Sequence, residues 1–214
     1  METSPIPFPK RPSKMNAAAQ DELVRREVAR HVSRDGRHFI LEKPLREVKC
    51  GVLHYVATDG MRLAAFSCKS LLPDSRTVLD ADLPATYYPK WQRVIPDESS
   101  AKRAEIDLDP AAVPVFKRLA RKDEAYHAWL LPGGAALVDA HFVADVLRNL
   151  AALAKFGPLS AHLHYTPGCG NDPLHFAASA GDWTYEAVLM PMGGWSEGID
   201  ARYGAPVCMV NLRP

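Results

Sequence analysis

The chain has 214 residues, 47% of them hydrophobic and 24% charged, and its 26 Lys and Arg against 25 Asp and Glu leave a net charge of +1. That length buries the core of one large or two small domains, and that composition excludes the disordered and membrane-spanning classes. A balance so near neutral also excludes a globally basic nucleic-acid binder, so any contact with DNA must come from a local basic face.

Residues 1–18 read as a flexible arm. They carry Pro5, Pro7, Pro9 and Pro12 beside Lys10, Arg11 and Lys14, and lack the apolar core of a secretory signal. Asp21 to Ser33 is a helix candidate, with Leu23, Val24, Val28 and Val32 apolar and Arg25, Arg26 and Arg30 on the polar side. Asp35-Gly36 is its stop signal. Strands are expected at His38–Leu41, Gly51–Ala57 and Met61–Cys68, with Asp59-Gly60 as a tight hairpin turn. Residues 69–86 are rich in Asp, Pro and Ser and read as irregular, with one strand near Thr77–Leu79.

The polar stretch 97–104 marks a domain boundary. Ala104–Leu108 reads as a strand. Asp109-Pro110 then opens a helix that carries Lys117, Arg118, Arg121 and Lys122 on its polar side. A hairpin follows, Tyr126–Leu131 and Ala135–Val138 around Pro132-Gly133-Gly134. The next helix spans Phe142 to Phe156, with Val143, Val146, Leu147, Leu150 and Leu153 at helical spacing and Arg148 and Lys155 outside them. Strands near Leu159–Tyr165, Leu174–Ala178 and Tyr185–Met190 close this region. The order predicts an α+β fold of antiparallel sheets with helices on one face. The expected divisions are an arm at 1–18, a truncated domain at 19–96, a complete domain at 97–192 and a tail at 193–214.

Catalytic and metal signatures are sparse. No GxSxG, Walker A, GxGxxG, HExxH or Cys-His-Asn arrangement is present. Asp59 before Gly60 is better explained as a turn residue accepting backbone hydrogen bonds than as an active-site carboxylate. Cys50, Cys68, Cys169 and Cys208 have no CxxC spacing, which points to a reducing cytoplasm and mostly buried free thiols. His162, His164, Cys169 and His175 cluster, but 167–173 reads as a turn and no second ligand pair has zinc spacing. Cys50 and His54 are weaker still. The expectation is therefore no enzyme, no cofactor and no metal.

Three segments in order carry a resemblance. They are Val56-Ala57-Thr58-Asp59-Gly60-Met61-Arg62-Leu63-Ala64, Tyr88-Pro89-Lys90-Trp91-Gln92-Arg93-Val94-Ile95-Pro96 and Ala187-Val188-Leu189-Met190-Pro191-Met192. They resemble, respectively, the ATDGHRLA strand-turn-strand, the FPDYRRVLP interdomain link and the MPM strand of the bacterial DNA polymerase III beta sliding clamp family. The similarity runs from about Arg37 to Cys68 and from Tyr88 to Met192. It implies a clamp-like fold and a non-enzymatic cytoplasmic replication accessory protein. Its implied partners are duplex DNA, bound without sequence preference, and the clamp-binding peptides of replication proteins.

The resemblance implies a peptide cleft at Thr58, Gly60, Arg62, Leu63, Pro89, Arg93, Val94, Val188, Met190, Pro191 and Met192. Methionine is flexible and polarizable, which suits an adaptable groove. The family's His after Gly is Met61 here, which keeps bulk and loses a hydrogen bond. Taken singly, Leu63, Val94 and Val188 read better as core than as cleft. The resemblance also implies DNA contacts from Arg25, Arg26, Arg30, Lys117, Arg118, Arg121, Lys122, Arg148 and Lys155, for which a solvated helix surface is the competing reading. Glu22, Glu27, Asp123, Glu124 and Asp145 dilute that positive field. The 69–87 stretch is short for the family's second internal repeat. A trimer of the phage type and a monomeric adaptor or decoy both remain open. The tail offers Trp195, Tyr203 and Val207 as candidates to lie in the cleft and block it.

Overall fold

A computed structural model of the chain describes residues 15–34, 39–81, 84–96, 104–108, 126–131, 134–169, 171–191 and 207–208. The strands are β1 (Leu45–Lys49), β2 (Val52–Thr58), β3 (Arg62–Lys69), β4 (Ser75–Val78), β5 (Ala104–Asp107), β6 (Tyr126–Leu131), β7 (Gly134–Asp139), β8 (Ser160–Tyr165), β9 (Leu174–Ala180), β10 (Trp183–Leu189) and β11 (Val207–Cys208). The described α-helices are α1 (Ala17–Val28) and α2 (Ala140–Leu153).

Eight strands form one antiparallel sheet in the order β4-β1-β2-β3-β10-β9-β8-β5. A smaller sheet has the order β11-β6-β7, in which β11 runs parallel to β6. The large sheet is joined at its middle by β3 and β10, with Leu63 opposite Val188 and Phe66 opposite Tyr185. This seam unites the two stretches on either side of the polar 97–104 segment.

Strand alternation sorts the side chains onto two faces. On one face Tyr55, Phe66, Leu163, Phe176 and Tyr185 pack with Val24 and Val28 of α1 and Val143, Val146, Leu147 and Leu150 of α2. The opposite face buries Leu45, Val56, Leu63, Ala65, Val78 and Val188 beneath Leu41, Tyr88 and Trp91. Each fully buried Leu, Val or Phe contributes about 1.5–3 kcal/mol relative to exposure. The two described helices thus lie on one face, as the element order predicts, and a covering link lies on the other.

Several local expectations are corrected. The first helix begins earlier, because Asn16 caps it by accepting from the Ala19 N–H at 2.9 Å. It ends at Val28 and tightens into a 3₁₀ turn, Ala29–His31. The stop at Asp35-Gly36 lies outside the described residues. Phe39–Leu41 is a 3₁₀ turn rather than a strand, and the Leu41 carbonyl accepts from the Ser33 N–H at 2.8 Å. A strand that the sequence left unassigned, β1, pairs with β2 across Cys50-Gly51, where φ is positive at both residues. Cys50 and Cys169 are exposed rather than buried, because both sit in turns. The helix expected after Asp109-Pro110 lies outside the described residues. Among the described residues, no helix is long and apolar enough to cross a membrane.

Candidate functional site

The β2–β3 hairpin is fixed by its own turn chemistry. Asp59 Oδ1 accepts from the N–H groups of Met61 and Arg62, each at 3.0 Å, and Thr58 Oγ1 donates to the Arg62 carbonyl at 2.7 Å. Gly60 has φ +90°, a conformation costly for a side chain even though the space around it is open. The Met190 N–H donates to the Met61 carbonyl at 2.9 Å, which carries the β3–β10 seam into the turn. Asp59 is thereby committed to the hairpin.

The 84–96 segment is held over the same end of the sheet. Tyr88 is buried and its hydroxyl donates to the Val56 carbonyl at 3.3 Å. Burial pushes that hydroxyl's pKa well above the ordinary tyrosine range, so it stays a donor. The Trp91 indole N–H and the Gln92 amide both donate to Glu47 Oε2 at 3.1 Å. Arg76 faces Glu47 at 3.3 Å and donates to the Tyr88 and Pro89 carbonyls at 3.2 Å. The His54 and Trp91 rings lie 5.2 Å apart.

Between hairpin, link and the end of β10 is an apolar cavity of about 160 Å³. It is lined by Thr58, Gly60, Arg62, Leu63, Pro89, Val94, Val188 and Met190, all of them sequence candidates, and also by Leu41, Met61 and Trp91. Arg93 is exposed and Pro191 half-buried, and neither lines it. Met192 lies outside the described residues. Leu41 lies in a segment whose sequence reads as a strand, and only tertiary packing brings it and Trp91 to the cavity. Met61, Val94 and Met190 are 40%, 46% and 36% exposed, so half of the six exposed large hydrophobics among the described residues sit here. Drug-sized ligands take pockets of roughly 300–1,000 Å³. The smaller volume suits one or two anchoring apolar side chains.

Arg62, a cleft candidate in the sequence, is held rigidly by the fold. It is buried, and its guanidinium donates to Asp59 Oδ2 at 2.9 Å, Asp145 Oδ2 at 2.9 Å and the Arg30 carbonyl at 2.8 Å. It also lies 4.2 Å from the centre of the Phe142 ring. Its charge ties the hairpin to the helix face.

The basic helix candidates divide. Arg25, Arg26 and Lys155 are exposed. Arg26 and Arg30 pair with Glu27 at 3.1 and 2.8 Å, and Arg148 pairs with Asp145. Lys117, Arg118, Arg121 and Lys122 lie outside the described residues. In the tail, β11 pairs Val207 with Trp129 on the small sheet, so Val207 is not in the cavity. Trp195 and Tyr203 lie outside the described residues.

No protein-family model matches the chain, and no curated protein sequence does. Among solved structures it is similar to the DNA polymerase III subunit beta from Pseudomonas aeruginosa, with TM-score 0.60, 17% identity and coverage of 88% of this chain and 69% of that one. It is similar to the DNA polymerase sliding clamp from Bacillus subtilis, with TM-score 0.59, 14% identity and coverage of 82% and 63%. It is also similar to the Helicobacter pylori beta clamp bound to a DNA ligase peptide, with TM-score 0.58, 14% identity and coverage of 80% and 62%. The chain therefore has the sliding-clamp fold, and it spans about two thirds of the length of these structures.

Proposed function

We propose that the chain is a non-enzymatic, sliding-clamp-like accessory protein of DNA replication, acting in the cytoplasm. It docks a short linear peptide of a polymerase or another replication protein in the cavity beside Met190, and holds duplex DNA non-specifically against its helix face. The observation that carries this reading is the convergence of three distant segments on one apolar cavity whose Met61, Val94 and Met190 are left exposed. Such side chains are costly to leave in water without a partner to cover them. The Helicobacter pylori clamp of similar fold was solved with a DNA ligase peptide. The exposed Arg25 and Lys155 support the DNA part.

The test is fluorescence anisotropy with a labelled synthetic peptide carrying a hydrophobic clamp-binding motif. Saturable binding is expected, weakened at least tenfold by Val94→Glu, a change at an exposed rim position that leaves the core intact. Absence of binding, or equal binding by the variant, overturns the reading.

A second reading is a monomeric adaptor or decoy that binds such peptides without encircling DNA. The pairing of Arg26 and Arg30 with Glu27 and of Arg148 with Asp145 favours it, because paired cations give phosphates a weaker field. Native mass and duplex binding across a salt series separate the two. A trimer whose DNA affinity falls steeply as salt rises supports the first. A monomer that binds peptide and ignores DNA supports the second.

A further inference from the structure

The outer edge of the large sheet holds a cluster that the cavity does not use. β5 ends the sheet and pairs with β8, in a register that sets Glu105 opposite His164 and Asp107 opposite His162. Alternation places all four side chains on one face. His162 Nδ1 lies 2.8 Å from Glu105 Oε1 and 3.1 Å from Asp107 Oδ1, and His164 Nδ1 lies 3.7 Å from Glu105 Oε2. Ligand atoms of Glu105, Asp107 and His162 lie within 4.8 Å of one another, with both carboxylates exposed and His162 half-buried.

Two details go beyond proximity. The His162 Nε2 lies 2.8 Å from Ser160 Oγ. With Nε2–H donating there, the ring is oriented and the Nδ1 lone pair is presented to the carboxylates, the arrangement that outer partners give to metal-binding histidines. Moreover, Nδ1 is buried and makes no hydrogen bond of good geometry among the described residues. The two carboxylates approach it closely without meeting hydrogen-bond geometry. A ring N–H needs its acceptor along the nitrogen's own axis. A coordinated cation sits on the axis itself and gathers carboxylates around it.

We propose that Glu105, Asp107 and His162 bind a first-row divalent cation of the Zn²⁺ type, with the fourth position open to water. The mixture of imidazole and carboxylate suits Zn²⁺ better than Ca²⁺ or Mg²⁺, which prefer oxygen alone. Zn–N and Zn–O bonds of about 2.0–2.2 Å put tetrahedral ligand atoms about 3.4 Å apart, so the present spacings need only small side-chain shifts. The cation would staple the terminal strand β5 to β8. Sequence spacing hid the site, because its carboxylates come from a strand far from the histidines.

The test uses the full chain stripped of metal, titrated with Zn²⁺ by calorimetry and with Co²⁺ by absorption. One Zn²⁺ per chain at this site, with micromolar affinity, and a raised Tm are expected. Asp107→Asn and His162→Gln should each weaken binding at least tenfold and abolish the Tm gain. Ser160→Ala should weaken it less, and His141→Gln, on the exposed start of α2, should change nothing. Circular dichroism without metal checks that each variant is folded, and the two ligand variants serve independently. The proposal is overturned if the wild type takes up no Zn²⁺ at 1 mM, or if folded Asp107→Asn or His162→Gln protein binds as tightly as wild type.

Discussion

His31 has no exposed surface, and its Nε2 lies 2.7 Å from the Asn149 Nδ2, which also donates to the Tyr185 hydroxyl at 3.1 Å. This chain links the 3₁₀ turn after α1 to α2 and to β10. Burial, followed by the charges of Arg62, Arg30 and Arg148, holds the His31 pKa well below its ordinary value of 6.5. The folded protein therefore keeps His31 neutral at pH values where the unfolded chain has already taken up a proton. His31 contributes no pH dependence well above pH 6.5, and stability is lost as pH falls below it, at up to about 1.4 kcal/mol per pH unit for one proton. His54 is shifted the same way, chiefly by burial, and adds to the effect. Unfolding measured from pH 7.5 to 5.5 should show this decline, and His31→Gln should flatten it. Parallel profiles for wild type and variant would remove His31 as its source. Arg62 reads in the sequence as a cleft residue, but only the fold brings Asp145 and the Arg30 carbonyl to it, and a buried guanidinium left without them would be costly.

At the scale of elements, the β3–β10 seam carries the most consequence. Phe66 and Tyr185 face each other there with ring centres 4.6 Å apart, and both are buried. Phe66→Ala should cost about 3–5 kcal/mol, because a cavity at the seam has structure packed on every side and little room to collapse. Chemical denaturation would measure it, and a loss under 1 kcal/mol would mean that the seam can relax. Strands with strong alternation or a clear turn, such as β2, β3 and β8 to β10, were legible in the sequence within a few residues. β1 was not, since Leu45-Arg46-Glu47-Val48-Lys49 buries Glu47 as a partner for the Trp91 indole and so breaks the apolar pattern. The 3₁₀ turn at Phe39–Leu41 was misread because three apolar residues in a row suit a strand equally well. The cavity was legible because its lining residues belong to short recognisable segments. Leu41 and Trp91 were not, because tertiary packing alone assigns them to it.

At the scale of the whole molecule, the polar stretch at 97–104 suggests two domains, while the large sheet and its main core run across it. Val24, Tyr55 and Phe66 from one side share that core with Leu147, Phe176 and Tyr185 from the other. Pairing between strands so distant in sequence closes only when most of the chain is in place. We expect residues 15–191 to unfold as one unit, with coincident transitions by far-ultraviolet and near-ultraviolet circular dichroism. A fragment ending at Pro96 should not fold alone, because removing β10 leaves β3 as an unpaired edge and strips the cover from Phe66. Two resolved transitions in the full chain, or a cooperative transition in that fragment, would instead make the seam an interface between independent units. The cavity would then be sensitive to any motion at the seam, because Leu63 and Val188, which line its floor, come from opposite sides of it.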